Sequence, residues 1–415
     1  MIFFANVLVM NGGSTFLLRT SRELKRRGVP VAIVLLRREF DPELLSELER
    51  FSTIFYLEDF LIDKARLFRA HLGIFGLVAW GRLEHALIPF GNIVHVMGVF
   101  GLLFGYRLCG RIGKFKLTAG VYHQNEFLYK KSKSYFTQKS AELFRDLPSE
   151  NVVFFNEISR NNYAEFFSKD FSVSPIVPIG IDLPNSEKSA FNGESFRIVS
   201  IGNLVEFKTY NEHIIRSLPS LLKRFPYLHY DIYGTGPQEK FLIDLATKLG
   251  VEGSVRFHGE IEYSRLPNAL ANSALFVGSG TALIEAAAMG VPALIGIESI
   301  KTPDTYGFIS DIDGFSYNEN VPYIKKQSIV PLLLDFFGNA DVRSELSILC
   351  RNKASDFSVK KTVQGFLRFV DSTRYVKFKF SFLSFTIMLA SLVLLGVRQK
   401  LFSESTFADR RNQSY

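Results

Sequence analysis

Short apolar segments that each end in a glycine turn occur in two successive series along this chain, and they constrain its fold most. The first series opens with residues 1–10, followed by Gly12 and Gly13, a helical pattern and a second apolar segment at 29–36. A strand, a helix and a strand in this order form a βαβ unit with parallel strands. The second series opens in the same way at residues 196–202. We therefore predict an α/β protein with two Rossmann-like domains that face each other across a cleft.

Further apolar segments extend both series. Strands are predicted at residues 91–98, 116–123 and 152–155 in the first half, and at 229–234, 255–259 and 274–278 in the second. Proline and polar residues between about 175 and 195 interrupt the pattern, which is typical of a domain linker. Because ligands of parallel sheets bind at the carboxyl ends of the strands, the residues that follow each strand are the candidates for a binding site.

The charge of the chain is unevenly distributed. The 415 residues carry a net charge of +8, to which residues 1–180 contribute +6, residues 181–373 contribute −3 and residues 374–415 contribute +5. A basic first domain and a basic tail favour a polyanionic partner, either nucleic acid or an anionic membrane. Cys109 and Cys350 are the only cysteines, which excludes a disulfide scaffold and indicates a reducing compartment such as the cytosol.

Residues 278–292 form the most informative segment, because a loop of small residues there joins a predicted strand to a helix. Small residues let a polar ligand contact backbone amides. Glu285, in the predicted helix, would accept hydrogen bonds from vicinal hydroxyls, unless it only complements the helix dipole. Lys208 follows the first strand of the second half and would neutralise a diphosphate there, unless it is simply a solvated lysine.

The first half offers a second group of candidates at strand ends. Gly12 and Gly13 would bring backbone amides and a helix N-terminus to a phosphate, although a plain turn explains them as well. His95 and His123 would each bind a phosphate or sugar oxygen, or have only a structural role.

The sequence predicts no metal site. Asp311 and Asp313 are the nearest approach to a carboxylate pair, and their surroundings at 306–315 predict two short strands around an Asp-Gly turn. No His, Cys or carboxylate cluster elsewhere in the sequence has the spacing of metal ligands.

The order of these motifs resembles the GT-B glycosyltransferases of the retaining family-4 type over about residues 1–373. The motifs that carry the resemblance are Gly12-Gly13, Val94-His95-Val96, Tyr122-His123, residues 177–182 (VPIGID), 201–208 (IGNLVEFK), 232–237 (IYGTGP), 255–259 (VRFHG) and Glu285 with residues 286–292. Residues 357–369 also resemble the C-terminal helix that returns to the first domain in that family.

The resemblance implies a role for each candidate residue. Glu285 would hold the ribose hydroxyls, Lys208 would stabilise the departing diphosphate, and His123 would lie near the reacting centre. Anomeric configuration would be retained, with no metal ion and no cofactor besides the nucleotide-sugar substrate. The residues assigned to binding that nucleotide-sugar are Gly12, Gly13, Asn203, Gly234, Gly259, Ser279, Gly280 and Thr281.

Two positions depart from the family's pattern. Asn203 stands where the family usually has an arginine, and Val277 stands where it has the first of two glutamates. Two alternatives to a transferase therefore stay open, a nucleotide-sugar epimerase on the same fold and a non-catalytic saccharide-binding relative. A nucleic-acid binder is disfavoured, since the sequence has no binding motif of that kind.

Residues 380–397 form an uncharged apolar segment flanked by basic residues. This composition predicts a membrane-associating helix, which either spans the bilayer or lies in its plane. The expected acceptor is therefore a lipid-linked saccharide, and the expected location is the cytoplasmic face of the inner membrane.

The resemblance, together with the apolar tail, implies a metal-independent hexosyltransferase that acts in the synthesis of a bacterial envelope polysaccharide such as lipopolysaccharide. Its expected partners are a nucleotide-sugar, a lipid-linked saccharide and an anionic membrane surface, with no nucleic acid. The predicted domains are an acceptor-side domain at 1–182, a nucleotide-sugar domain at 183–356, a returning helix at 357–373 and a membrane-anchoring tail at 374–415.

Overall fold

The chain divides into two compact units. The computed structural model describes residues 1–9, 11–62, 72–129, 134–184, 191–262, 265–378 and 381–402. Unit 1 consists of Met1–Ile179 and of the described chain from Val359 onward, and unit 2 of Gly180–Ser358. The unit boundaries therefore fall after residues 179 and 358. The predicted boundaries, after residues 182 and 356, are close to these.

Unit 1 contains a six-stranded parallel sheet in the order β3-β2-β1-β4-β5-β6. The strands are β1 Ile2–Ala5, β2 Ala32–Leu35, β3 Thr53–Tyr56, β4 Ile93–Met97, β5 Lys116–Val121 and β6 Val152–Phe154. The helices between them are α1 Gly12–Arg26, α2 Pro42–Glu49, α3 Trp80–Leu87, α4 Gly98–Arg111, α5 Tyr135–Arg145 and α6 Glu157–Phe167.

Local sequence explains how the first βαβ unit forms. All four residues of β1 and of β2 are buried, as expected of strands with helices on both faces. Asn11 is the N-cap of α1, where its side chain accepts a hydrogen bond from the Ser14 backbone N–H at 3.0 Å. The helix ends before Gly28, whose φ of +76° lies in the left-handed region that favours glycine.

Unit 2 contains a five-stranded parallel sheet in the order β11-β10-β7-β8-β9. Its strands are β7 Arg197–Ile201, β8 His229–Tyr233, β9 Val255–Phe257, β10 Leu275–Gly278 and β11 Ala293–Ile295; β12 Asp304–Thr305 and β13 Gln327–Ser328 form a separate antiparallel pair. Its helices are α7 Tyr210–Leu222, α8 Glu239–Lys248, α9 Leu266–Leu270, α10 Thr281–Ala288, α11 Ile329–Gly338 and α12 Ala340–Ala354.

The predicted two-domain α/β fold with parallel sheets is confirmed, and so are the strands predicted for the two sheets. Strands β3, β11, β12 and β13 were not predicted from the sequence. The two short strands predicted around an Asp-Gly turn at 306–315 are wrong, because a single 3₁₀ turn at Ile309–Asp311 occupies that segment. The Asp311 carboxylate fixes this turn by accepting a hydrogen bond from the Phe308 backbone N–H at 2.8 Å.

Two further helices complete unit 1, α13 Val359–Ser372 and α14 Phe382–Phe402. One side of α14 packs on the core of unit 1, where Met388 is only 1% exposed and the Phe385 ring lies 4.6 Å from that of Phe75. Among the residues that the structure describes, no helix has the length and apolar character needed to cross a membrane. Residues 403–415 of the predicted tail lie outside the described residues.

Candidate functional site

Both sheets have a topological switch point, where strand order reverses and the loops at the carboxyl ends diverge. In unit 2 this point lies between β7 and β10, which are neighbours in the sheet. The loop after β7 carries Lys208, and the loop after β10 is residues 278–281. The sequence-predicted residues on these two loops are therefore brought to one edge of the sheet.

Four side chains lie close together at this edge, those of Lys208, Tyr210, Ser279 and Glu298. The Lys208 ammonium lies over Gly202, since a Cβ built on that glycine would be 2.9 Å from Nζ. Ser279 Oγ donates a hydrogen bond to Glu298 Oε1 at 3.1 Å. Burial raises the pKa of the Glu298 carboxyl, while the Lys208 ammonium and the Ser279 hydrogen bond oppose this rise.

Glu285 is buried in the second turn of α10, with 7% of its surface exposed. Burial raises the pKa of Tyr317, and the carboxylates of Glu319, Glu298 and Glu285 raise it further, which places Glu285 and Glu298 around one phenol. The Tyr317 hydroxyl in turn donates to the carbonyl oxygen of Gly280 at 3.2 Å. The Glu285 carboxylate therefore acts electrostatically on Tyr317, and Tyr317 contacts the loop at 278–281 through Gly280.

The loop at 278–281 is held from one side by Asn318. The backbone N–H of Gly280 donates to Asn318 Oδ1 at 3.0 Å, and Gly280 has a φ of +66°. Thr281 begins α10 and is half-buried. Of the amides predicted to contact a sugar, the one at Gly280 therefore already has a side-chain acceptor.

Three other predicted binding residues have backbone contacts of their own. Gly234 has a φ of +132°, and a Cβ there would collide with the carbonyl oxygen of Gly202. Its N–H donates to the carbonyl oxygen of Gly259 at 2.7 Å. Asn203 is exposed, and its carbonyl oxygen accepts from the Val205 N–H at 3.1 Å. Gly234 therefore lets the backbone of Gly202, under Lys208, approach closely, and Gly259 contributes a backbone acceptor to the same loop.

The switch point of unit 1 lies between β1 and β4 and contains a cavity of about 420 Å³. Its lining includes Gly13 at the start of α1, Gly98 at the start of α4, and the side chains of Tyr122 and Glu126. Gly98 has a φ of +75°, and a Cβ there would lie 3.3 Å from Glu126 Oε1. Two helix N-termini and a buried carboxylate thus line the cavity, a combination suited to polar hydroxyl-bearing ligands.

The two histidines of unit 1 differ in their surroundings. His95 is fully buried, with Nδ1 3.0 Å from Thr118 Oγ1 and Nε2 2.8 Å from the Tyr122 hydroxyl. Of the two roles left open for His95, the structure supports the structural one, because both ring nitrogens have protein partners. His123 is half-buried after β5, and its Nδ1 accepts from the Asn125 backbone N–H at 3.2 Å.

Sequence reasoning missed Tyr210, Glu298, Tyr317 and Asn318 in unit 2, and Glu126 in unit 1. Glu126 carried a usable signal, since it follows a predicted strand in the same loop as His123. Across the described parts of the chain, no group of three or more His, Cys, Asp or Glu side chains is placed to hold a metal ion.

Comparison with known proteins defines the class of fold. The family model described as Glycosyl transferases group 1 matches residues 183–299, which include both loops of the unit 2 switch point. No curated protein matches the chain.

Solved structures similar to this chain cover nearly all of it. A point mutant of Staphylococcus aureus TarM, in complex with Fondaparinux, alpha-GlcNAc-glycerol and UDP, has a TM-score of 0.65 at 12% identity, over 89% of this chain and 99% of that one. Anabaena Alr3699/HepE, in complex with UDP and glucose, has a TM-score of 0.64 at 13% identity over 89% and 99%. The lipopolysaccharide outer core galactosyltransferase WaaB has a TM-score of 0.57 at 13% identity over 90% and 99%.

At identities this low, the likeness is one of fold. The chain has the two-domain GT-B-like fold of these glycosyltransferase structures, with a parallel sheet in each unit. Unit 2 also carries the sequence pattern of the glycosyl transferases group 1 model.

Proposed function

We propose that this chain is a glycosyltransferase, in which unit 2 binds a nucleotide-sugar and unit 1 binds the acceptor. The observation that carries the proposal is the edge of the unit 2 sheet. A lysine ammonium over a glycine and a loop of small residues lie there, and the buried carboxylate Glu285 lies in the helix that follows this loop. Group transfer from a nucleotide-sugar requires stabilisation of the charge that develops on the leaving diphosphate. The match to the family model over 183–299 and the UDP in two similar structures support this assignment.

Five of the predicted residues of unit 2 then have a role in the proposed reaction. Lys208 neutralises the departing diphosphate, and Glu285 accepts hydrogen bonds from the ribose hydroxyls. Ser279, Gly280 and Thr281 contact the donor sugar and its phosphates. The reaction proceeds with retention of anomeric configuration and needs no metal ion.

In unit 1, the cavity at the switch point is the proposed acceptor site. Gly12 and Gly13, which were predicted to bind the nucleotide-sugar, are assigned to the acceptor instead, because they begin α1 at this cavity. Glu126 accepts hydrogen bonds from acceptor hydroxyls, and His123 lies on the loop that carries Glu126. A carboxylate accepts hydrogen bonds from saccharide hydroxyls, and the two helix N-termini stabilise its negative charge.

The proposed acceptor is a lipid-linked saccharide of a bacterial envelope polysaccharide, reached at the cytoplasmic face of the inner membrane. Support comes from the outward side of α14, where Phe382, Leu383 and Leu394 are 73%, 71% and 58% exposed. Basic Lys377 and Arg398 flank this apolar surface and are exposed. An apolar helix face between basic residues fits the interface of an anionic membrane.

Binding of a nucleoside diphosphate is the first test. The chain is heated with UDP, ADP, GDP, CDP or TDP, and at least one should raise the melting temperature, since a ligand of the folded state stabilises it. Lys208→Ala should abolish most of the shift, whereas Lys240→Ala, at an exposed lysine on α8, should leave it unchanged. A melting temperature that no nucleotide moves would refute the proposal.

Transfer is tested with a radiolabelled nucleotide-sugar and a lipid extract. Label should enter the lipid fraction, and Glu285→Ala and Lys208→Ala should each reduce the rate by roughly a hundredfold or more. Glu252→Ala, at an exposed glutamate, is the matched control. An epimer formed from the nucleotide-sugar alone would point instead to an epimerase, and binding without any turnover would indicate a non-catalytic saccharide-binding relative.

A further inference from the structure

Glu298 is a buried carboxylate that takes no direct part in the proposed reaction. It follows β11 and is 9% exposed. Its Oε1 accepts from Ser279 Oγ at 3.1 Å, and its backbone N–H donates to the carbonyl oxygen of Asn318 at 2.9 Å. Burial of a charged carboxylate destabilises the folded state unless hydrogen-bond donors and a cation compensate for the lost hydration. Ser279 is such a donor, and Lys208 is the cation that acts on it.

The segment that carries Glu298 is bonded to both loops of the switch point. The N–H of Ser299 donates to the carbonyl oxygen of Phe207, in the loop after β7, at 2.7 Å. The N–H of Gly296 donates to the carbonyl oxygen of Gly278, in the loop after β10, also at 2.7 Å. Ser299 has a φ of +58°, an uncommon conformation for a residue with a side chain, and the neighbouring bonds hold it there.

Because of these bonds, Glu298 lies where the two loops are joined. It contacts one loop through Ser279, and its neighbour Ser299 bonds the other loop at Phe207, the residue before Lys208. Asn318 strengthens the same junction, since it bonds Gly280 through its side chain and Glu298 through its backbone. Movement of Glu298 would therefore disturb the loop amides and the ammonium together.

We propose that Glu298 is a positioning residue of the donor site, which holds the Lys208 ammonium and the loop at 278–281 where a diphosphate binds. This inference rests on the proposed function. The negative charge of Glu298 keeps the ammonium over Gly202 instead of in solvent, so that less ordering is needed when a diphosphate arrives. Glu298 acts through Lys208 and Ser279, and it need not touch the ligand.

The test is a double-mutant cycle on nucleotide affinity, with the nucleoside diphosphate that stabilises the full chain most. Glu298→Gln removes the charge but keeps an oxygen for Ser279, so it isolates the effect on Lys208. Its Kd should rise about tenfold, the size expected for loss of one charge-assisted interaction. In a Lys208→Ala background the same change should raise the Kd less than about twofold, because the ammonium is already gone.

Controls separate positioning from simple loss of structure. Glu262→Gln makes the same change at an exposed glutamate and should leave the Kd unchanged. If Glu298→Gln does not fold, Glu298→Asp keeps the charge but withdraws it from Ser279 and should raise the Kd a few-fold, whereas no change would overturn the inference.

The outcomes also distinguish this inference from the proposed function. If Lys208→Ala weakens binding and Glu298→Gln does not, the inference is overturned while the proposed function stands. An equal effect of Glu298→Gln in both backgrounds would overturn it too, since the two residues would then be uncoupled. If no nucleoside diphosphate binds the wild-type chain, both fail.

Discussion

His95 illustrates how strand register decides the role of a single residue. In β4 it pairs with Phe3 on one side and Thr118 on the other. Its ring lies 4.8 Å from that of Phe366 in α13, at an interplanar angle of 81°. Tyr122, its hydrogen-bond partner, lines the cavity of unit 1. His95 therefore connects the returning helix to the cavity wall, and acts on any ligand there only through Tyr122.

Burial lowers the pKa of His95 from its ordinary value of 6.5 to about 3. Below pH 6.5 the unfolded chain takes up a proton at this position that the folded chain does not, so stability is lost as the pH falls. Between about pH 6 and 4 this single group should reduce the free energy of unfolding by about 1.4 kcal/mol per pH unit. Urea titrations of wild type and His95→Gln at several pH values measure the difference in slope.

His95→Gln removes the titrating group, so its free energy of unfolding should fall less steeply with decreasing pH, by about 1.4 kcal/mol per pH unit. Its free energy of unfolding at neutral pH should be lower than that of wild type. His85→Gln, at an exposed histidine of α3, should have the wild-type slope. Parallel curves for wild type and His95→Gln would show that His95 is protonated in the folded chain, contrary to its burial.

At the scale of one element, α14 has two apolar faces with different surroundings. On the inner face Met388, Phe385 and Leu392 pack on unit 1, and Ser391 Oγ accepts from the Phe136 backbone N–H at 3.1 Å. The outer face exposes large apolar side chains. Composition alone cannot separate these faces, because a segment that is apolar all round predicts burial on every side, in a core or in a bilayer. Only the packing of the helix on unit 1 divides them.

This division predicts opposite effects of polar substitutions on the two faces. The double variant Leu383→Asp, Leu394→Asp should keep the wild-type melting temperature and lose binding to vesicles of anionic phospholipid, measured by co-sedimentation. Met388→Asp should lower the melting temperature by several degrees, since it buries a charge in the core of unit 1. Vesicle binding by the outer-face variant at wild-type strength would contradict the proposed membrane surface.

For the whole molecule, the two units share one plan that the sequence made predictable. Read from β9, unit 2 has the strand order β9-β8-β7-β10-β11, which repeats the order β3-β2-β1-β4-β5 of unit 1. Apolar segments and the glycine turns after them identified most of these strands, because a buried parallel strand is a continuous apolar run. The missed strand β3 is partly exposed and its pattern is correspondingly weak.

The candidate site was only partly predictable, because contacts such as Ser279–Glu298 and Gly280–Asn318 join segments far apart in the sequence. Lys208 and residues 279–281 follow strands directly, so position alone identified them. Glu298 reaches the loop at 278–281 from the end of the neighbouring strand β11, which the sequence analysis had not recognised. Gly234, a predicted ligand contact, also lets the backbone of Gly202 approach closely, which the sequence does not show. Such contacts depend on strand order and loop packing, which no local pattern encodes.

Because both units have the same strand order, each has a switch point that could bind the nucleotide. Hydrogen exchange identifies which of the two does so. Backbone amides of residues 202–208, 278–285 and 296–299 should exchange several-fold more slowly when a nucleoside diphosphate is bound, because the ligand and Glu298 hold these loops together. Residues 11–17 and 97–101, at the unit 1 cavity, should be unaffected by the nucleotide alone. Protection confined to unit 1 would reverse the assignment of donor and acceptor units. In Lys208→Ala the protection of unit 2 should disappear at the same nucleotide concentration, which links the whole-molecule pattern to a single ammonium.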